Sequence, residues 1–153
     1  MNHVQLVRPI EILLVEDSPS DADLTLETLS AAKVLNNLHV VEDRAEAMKF
    51  LCCQGTYQGV PCPDLILLDL NLPKKDGREV LAEIKADPQL KTIPVVILTT
   101  SAAEIDILKP SELDANCYIT KPVAFAEFVH IIELIESFWL AAVKCLLVVE
   151  MSC

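Results

Sequence analysis

Short apolar runs alternate with longer stretches of helical period along this chain. The first run, Ile10-Glu11-Ile12-Leu13-Leu14-Val15, predicts a strand, and the amphipathic stretch from about Pro19 to Val34 predicts a helix behind it. The same pair recurs three times. A strand over Leu38 to Val41 precedes a helix near Ala45 to Gln54, one over Leu65 to Leu68 precedes a helix near Gly77 to Ala86, and one over Val95 to Leu98 precedes a helix near Ala102 to Leu113. A last strand, Cys117-Tyr118-Ile119, leads into a long helix from Val123. Strands read here as continuous apolar runs rather than as alternating ones. That is the pattern of a parallel sheet buried on both faces by its crossover helices.

Five such units predict the α/β class, with a flavodoxin-like (βα)5 architecture: a doubly wound, five-stranded parallel sheet. With 153 residues the chain is one domain's worth. Between Gln54 and Asp64 the segment QGTYQGVPCPD is rich in Gly and Pro and longer than an ordinary helix-to-strand loop. No internal repeat beyond the βα alternation is present, and no low-complexity segment.

In open α/β sheets ligands sit outside the carboxyl ends of the strands. Glu16 and Asp17 follow the first apolar run, Asp69 the third, Thr99 and Thr100 the fourth, and Lys121 comes just after the fifth. Helix capping is the simplest explanation for acids and hydroxyls at such turns. The following helices, however, carry their own caps. Ser18-Pro19-Ser20-Asp21, Asp76-Gly77-Arg78-Glu79 and Ser101-Ala102-Ala103-Glu104 each place a capping residue three positions before an acid. Glu16, Asp17, Asp69 and Thr99 are therefore read as surplus to capping. Three carboxylates held together repel one another unless a cation lies among them, and hard oxygen ligands of this kind suit Mg2+. A carboxylate beside that ion and an ammonium can act as a nucleophile toward a phosphoryl group. Asp69, on the middle strand, is the candidate nucleophile.

Charge narrows the partners. The 12 basic and 23 acidic side chains leave a net charge of −11, and no basic cluster exceeds Lys74-Lys75, so a nucleic-acid backbone is an unfavourable partner. Glu11, Glu16 and Asp17 interrupt any apolar core of a signal peptide, and no apolar run approaches a membrane span, which predicts a cytoplasmic protein. Six cysteines without a CxxC pair are read as structural or incidental, and His3, His39 and His130 as solvated or packing residues.

Glu16-Asp17, Asp69, Thr99 and Lys121-Pro122, with 30 residues from Asp69 to Thr99 and 22 from there to Lys121, resemble the bacterial response-regulator receiver domain. The resemblance covers residues 10 to about 139. It implies a single-domain response regulator of a two-component system rather than an enzyme acting on other molecules: segment 1–9, receiver 10–143 and tail 144–153. It further implies that Asp69 accepts phosphate from a histidine kinase. Mg2+ would be held by Glu16, Asp17, Asp69 and the backbone carbonyl of Asn71. Thr99 would contact the phosphoryl group, Lys121 would pair with it, and Tyr118 would be the aromatic switch coupled to Thr99. A cis bond before Pro122 is usual in such proteins.

More locally, DLILLDLNLPKKDGREVLAEIK, IPVVILTTS, ANCYITKPV and FWL are similar to the small regulators paired with phytochrome-type histidine kinases. Two departures stand out. Pro110 falls inside the expected fourth helix, and Asp114 stands where many receivers have Gly. On a helical wheel of residues 123–143, apolar side chains including Phe138 and Trp139 cover about two-thirds of the circumference, more than packing on a sheet requires. The expectation is a homodimer through the face formed by the fourth helix, fifth strand and fifth helix, with a fold-back of the segment Cys145 to Cys153 and its CLLVV run as the alternative cover. No DNA-binding or catalytic sequence follows residue 139, so output is expected by non-covalent contact.

Three other readings compete. A nucleotide- or flavin-binding module would need a glycine loop, and Gly55, Gly59 and Gly77 form none. An aspartate-nucleophile phosphatase would want an acid two residues past the nucleophile, where this chain has Asn71. A pseudo-receiver would bind partners without phosphorylation, although each acceptor-site residue type is present.

Overall fold

The computed structural model describes residues 9–31, 36–72, 76–100 and 117–121, together with residues 126, 127, 129 and 130. β1 (Ile10–Val15), β2 (Asn36–Val41), β3 (Leu65–Asp69), β4 (Val95–Thr99) and β5 (Cys117–Thr120) form one sheet, interleaved with α1 (Pro19–Ala31), α2 (Arg44–Leu51) and α3 (Asp76–Ala86). All pairings are parallel and the strand order is β2-β1-β3-β4-β5. The α/β fold expected from the periodicity is the one observed. The predicted helix over 102–113, the cis bond at Pro122, and Pro110, Asp114, Phe138 and Trp139 lie outside the described residues, and of the predicted helix from Val123 only residues 126, 127, 129 and 130 are described, all helical.

The apolar runs are continuous because each strand feeds two cores. Leu13, Val15, Ile66, Leu68, Val95 and Ile97 point to one face, where Phe50 of α2 and Val80, Leu81 and Ile84 of α3 pack on them. Ile12, Leu14, Leu65, Leu67, Val96 and Leu98 point to the other, with Leu29 of α1. Each fully buried Leu or Ile in these layers is worth about 2 kcal/mol against exposure.

Element ends depart from the sequence pattern where polar residues pair or the backbone turns. β2 starts at Asn36 rather than Leu38, because Asn36 and Asn37 pair with Ile10 and Glu11. The Asn37 amide also donates to Glu11 Oε2 at 2.9 Å. α2 stops at Leu51, short of Gln54, where Cys53 takes a positive φ of 55° and a single 3-10 turn over Gly55–Tyr57 begins the long loop. Cys52, Cys53 and Cys62 are free and exposed, so these three thiols are not core packing. His39, read as a solvated or packing residue, lies 2.8 Å from Glu11 Oε1 across the β1–β2 pair. That contact joins strands 28 residues apart, which local spacing does not reveal. Among the described residues no helix is long and apolar enough to cross a membrane.

Gly77 fixes the approach of α3 to the end of β3. A Cβ built there would stand 2.6 Å from the Asp69 carbonyl oxygen and 3.0 Å from Leu70 Cα, both backbone atoms that cannot swing aside. Gly77→Ala is therefore expected to destabilise the protein by about 1–3 kcal/mol, although Ala alone favours helix by about 1 kcal/mol. Urea unfolding measures the balance. An unchanged or raised midpoint would mean that α3 does not need this close approach.

Candidate functional site

The strand order determines where a site can form. From β1 the chain steps outward to β2, then returns across β1 to β3 and continues to β4 and β5, so the crossover direction reverses between β1 and β3. The carboxyl ends of strands flanking such a reversal leave a crevice between diverging connections. Glu16 and Asp17 leave β1 at that crevice, and Asp69 is the last residue of β3. Glu16 and Asp69 are each 2% exposed, whereas Asp17 is open to solvent. One oxygen from each of the three carboxylates lies within 4.8 Å of the others.

β5 supplies the counter-charge. The Lys121 backbone N–H donates to the Thr99 carbonyl at 2.8 Å, which anchors the chain just past the end of β4. From there its ammonium reaches Glu16 Oε1 at 2.8 Å, Asp69 Oδ2 at 3.1 Å and Asp21 Oδ2 at 2.8 Å. Burial alone would lower the lysine's pKa. The hydrogen bonds that the ammonium donates to Asp21, Glu16 and Asp69 outweigh it and raise the pKa above the ordinary value. Glu16 moves in the opposite functional sense: burial, then its hydrogen bond and repulsion with Asp69, push its pKa from 4.5 to about 7 despite Lys121.

Local hydrogen bonds hold the acids in place. The Asn71 N–H donates to Asp69 Oδ1 at 2.8 Å. Ser18 Oγ accepts the Asp21 N–H at 3.3 Å, the expected cap of α1. The reciprocal contact differs from the sequence reading. The Ser18 N–H goes to Glu16 Oε2 at 3.3 Å, so Glu16 is not surplus to capping, and the Asp21 carboxylate is turned toward Lys121 instead. Asn71 contributes its side chain as well: its Oδ1 accepts from the Thr100 N–H at 3.0 Å and the Thr100 hydroxyl at 3.3 Å. Thr99 is fully buried at the end of β4, and Tyr118 of β5 is partly buried against the α2–α3 core.

Glu16, Asp17, Asp69 and Lys121 are thus brought together, with Asn71 and Thr100 along the rim and Thr99 buried at the end of β4, its carbonyl bound by the Lys121 N–H. Asp21 was absent from the predicted set because its position in a capping box explained it. The available signal was its place in the first turn of the helix that follows Glu16 and Asp17. Chemically the donor set is three hard oxygen ligands with one neighbouring ammonium, which fits a small divalent ion of the Mg2+ or Mn2+ type.

Residues 12–133 match the response regulator receiver domain model, and the chain belongs to that family of two-component signalling proteins. The response regulator Rcp1 of Synechocystis sp. is 53% identical over 135 residues, which span 88% of this chain and 92% of that protein. Among solved structures, the phosphorylated cyanobacterial phytochrome response regulator RcpA is 50% identical with a TM-score of 0.70, over 88% of this chain and 96% of that one. The Mn2+-bound form of Rcp1 is similar at a TM-score of 0.68 and 53% identity, over 86% and 94% of the two chains.

Proposed function

We propose that this receiver accepts a phosphoryl group on Asp69 from a phytochrome-type histidine kinase in the cytoplasm, with Mg2+ held by Glu16, Asp17, Asp69 and the Asn71 carbonyl. The observation that carries this reading is the convergence of three carboxylate oxygens within 4.8 Å beside the Lys121 ammonium, at the reversal point of the sheet. The likeness to a phosphorylated phytochrome regulator and to an Mn2+-bound one supports the donor and the type of ion.

An Asp69 oxygen bonds to phosphorus as the bond from phosphorus to the donor's imidazole nitrogen breaks, and that electron pair returns to the imidazole. The bound divalent ion supplies charge neutralisation at the phosphoryl oxygens. Lys121 neutralises a further oxygen from the β5 side, and the Thr99 hydroxyl contacts the transferred group. Tyr118 reports Thr99's position to the β5 face. Catalysis extends only to the protein's own phosphorylation and dephosphorylation. We assign output to non-covalent contacts, including a homodimer through the helix 4–β5–helix 5 face.

The test is transfer of label from an autophosphorylated phytochrome-type kinase, with and without chelator. Transfer is expected to need the divalent ion. Asp17→Asn is expected to leave the fold intact and weaken Mg2+ binding by about tenfold or more, since Asp17 is exposed and presents its charge to the ion. Equal Mg2+ affinity in the variant and the parent, read by titration, would overturn the assigned ligand set.

A further inference from the structure

A lysine ammonium has three N–H donors. Those of Lys121 face three carboxylate oxygens: Glu16 Oε1 and Asp21 Oδ2 at 2.8 Å and Asp69 Oδ2 at 3.1 Å. No donor is left over for a phosphoryl oxygen. One of the three contacts has to yield before Lys121 can engage a phosphoryl group on Asp69.

The three partners differ in how readily they can yield. Glu16 is buried, and its second oxygen is engaged by the Ser18 N–H. Asp69 is the residue to be modified. Asp21 stands in the first turn of α1, its side chain is 40% exposed, and it can rotate into water with little desolvation to reverse. We propose that Asp21 is a positioning residue that tethers Lys121 in the resting state and competes with the incoming phosphoryl group for that ammonium. This rests on Asp69 being the acceptor. Asp21 lies outside the three-carboxylate cluster. Its contact with the site is the Lys121 ammonium, and through that contact it acts on the phosphoryl group.

A double-mutant cycle tests the tether, because an Asp in a first helical turn also favours the helix N-terminus on its own account. Phosphorylation by acetyl phosphate at fixed Mg2+ is measured for the parent, Asp21→Ala, Lys121→Ala and the double variant. A half-exposed ion pair of this kind predicts that Asp21→Ala accelerates phosphorylation about three- to fivefold in the parent background. In the Lys121→Ala background the same change is expected to have no effect. Asp21→Glu, which keeps the charge, is expected to restore the parental rate. An equal acceleration in both backgrounds overturns the proposal, as does an unchanged or slower rate for Asp21→Ala alone.

Urea unfolding of the same four proteins, without phosphodonor, reads the Asp21–Lys121 coupling separately. A coupling of zero overturns the tether. A parent that takes no label while the coupling persists overturns the acceptor reading, and the competition falls with it.

Discussion

Asp69→Asn is expected to take up no stable phosphate from either a kinase or acetyl phosphate, a loss on the order of a thousandfold or more. The amide retains the shape of the carboxylate but has neither its charge nor a nucleophilic oxygen of comparable strength. The fold is expected to survive. Asp69 is one of the groups that raise the Glu16 pKa, so neutralising it relieves that repulsion while Lys121 keeps Glu16 and Asp21. The two effects oppose each other, and the unfolding midpoint is expected to move by no more than about 1 kcal/mol equivalent. Gel separation of phosphorylated and unphosphorylated forms, with unfolding as the control, reads both. Stable label on a folded Asp69→Asn protein would place the acceptor elsewhere.

The metal-free protein is expected to gain stability as pH falls from about 8 to about 5.5, against the trend set by ordinary salt-bridged carboxylates. Glu16 has a folded pKa of about 7 against an ordinary value of 4.5. Between those values the folded chain binds more protons at Glu16 than the unfolded chain does, so stability rises as pH falls through 7 and levels off near 4.5. The size is on the order of 2–3 kcal/mol. Lys121 does not contribute over this window. Its folded pKa is raised, so its stabilisation is fully present below the unfolded value and is lost only in strong alkali. Urea unfolding in EDTA at the two pH values gives the slope, and Glu16→Gln is expected to flatten it. Saturating Mg2+ is expected to shift the balance toward higher pH, because the ion binds the ionised cluster of the folded state. A parent whose stability rises with pH in EDTA, or a Glu16→Gln variant with the parental slope, would contradict this account of the buried pair.

Much of this architecture was legible because the governing signals are local. Continuous runs such as Leu65 to Leu68 can bury both faces only in a parallel sheet, and four of the five strands start where the runs start. β2 was the exception. Asn36 and Asn37 are poor strand formers, and their place in the sheet comes from partners on β1 and from contacts such as the Asn36 amide donating to the Leu29 carbonyl. The end of α2 was missed for a similar reason. Apolar periodicity continues through Cys52 and Cys53, but the left-handed Cys53 terminates it.

The carboxylate cluster was legible from strand-end positions alone. The second tier of the site was not. Asp21 had a sufficient local explanation in the α1 cap, the Asn71 side chain finds its partner on another element, and the Ser18–Glu16 contact takes the opposite sense within that cap.

The Lys121–Glu16 pair spans 105 residues of sequence, and the Lys121–Asp69 pair spans 52. During synthesis the strands bearing Glu16, Asp17 and Asp69 emerge well before the lysine that offsets them. Without β5 in place, the carboxyl edge of the sheet holds three carboxylates and lacks the ammonium that offsets them. Adding β5 to the sheet is thus also the step that balances the site, and contacts of such high sequence separation form slowly relative to helices. A chain that presents a balanced acid cluster has, by that fact, already brought β5 to the sheet, so the balanced site doubles as a report of the completed five-stranded sheet.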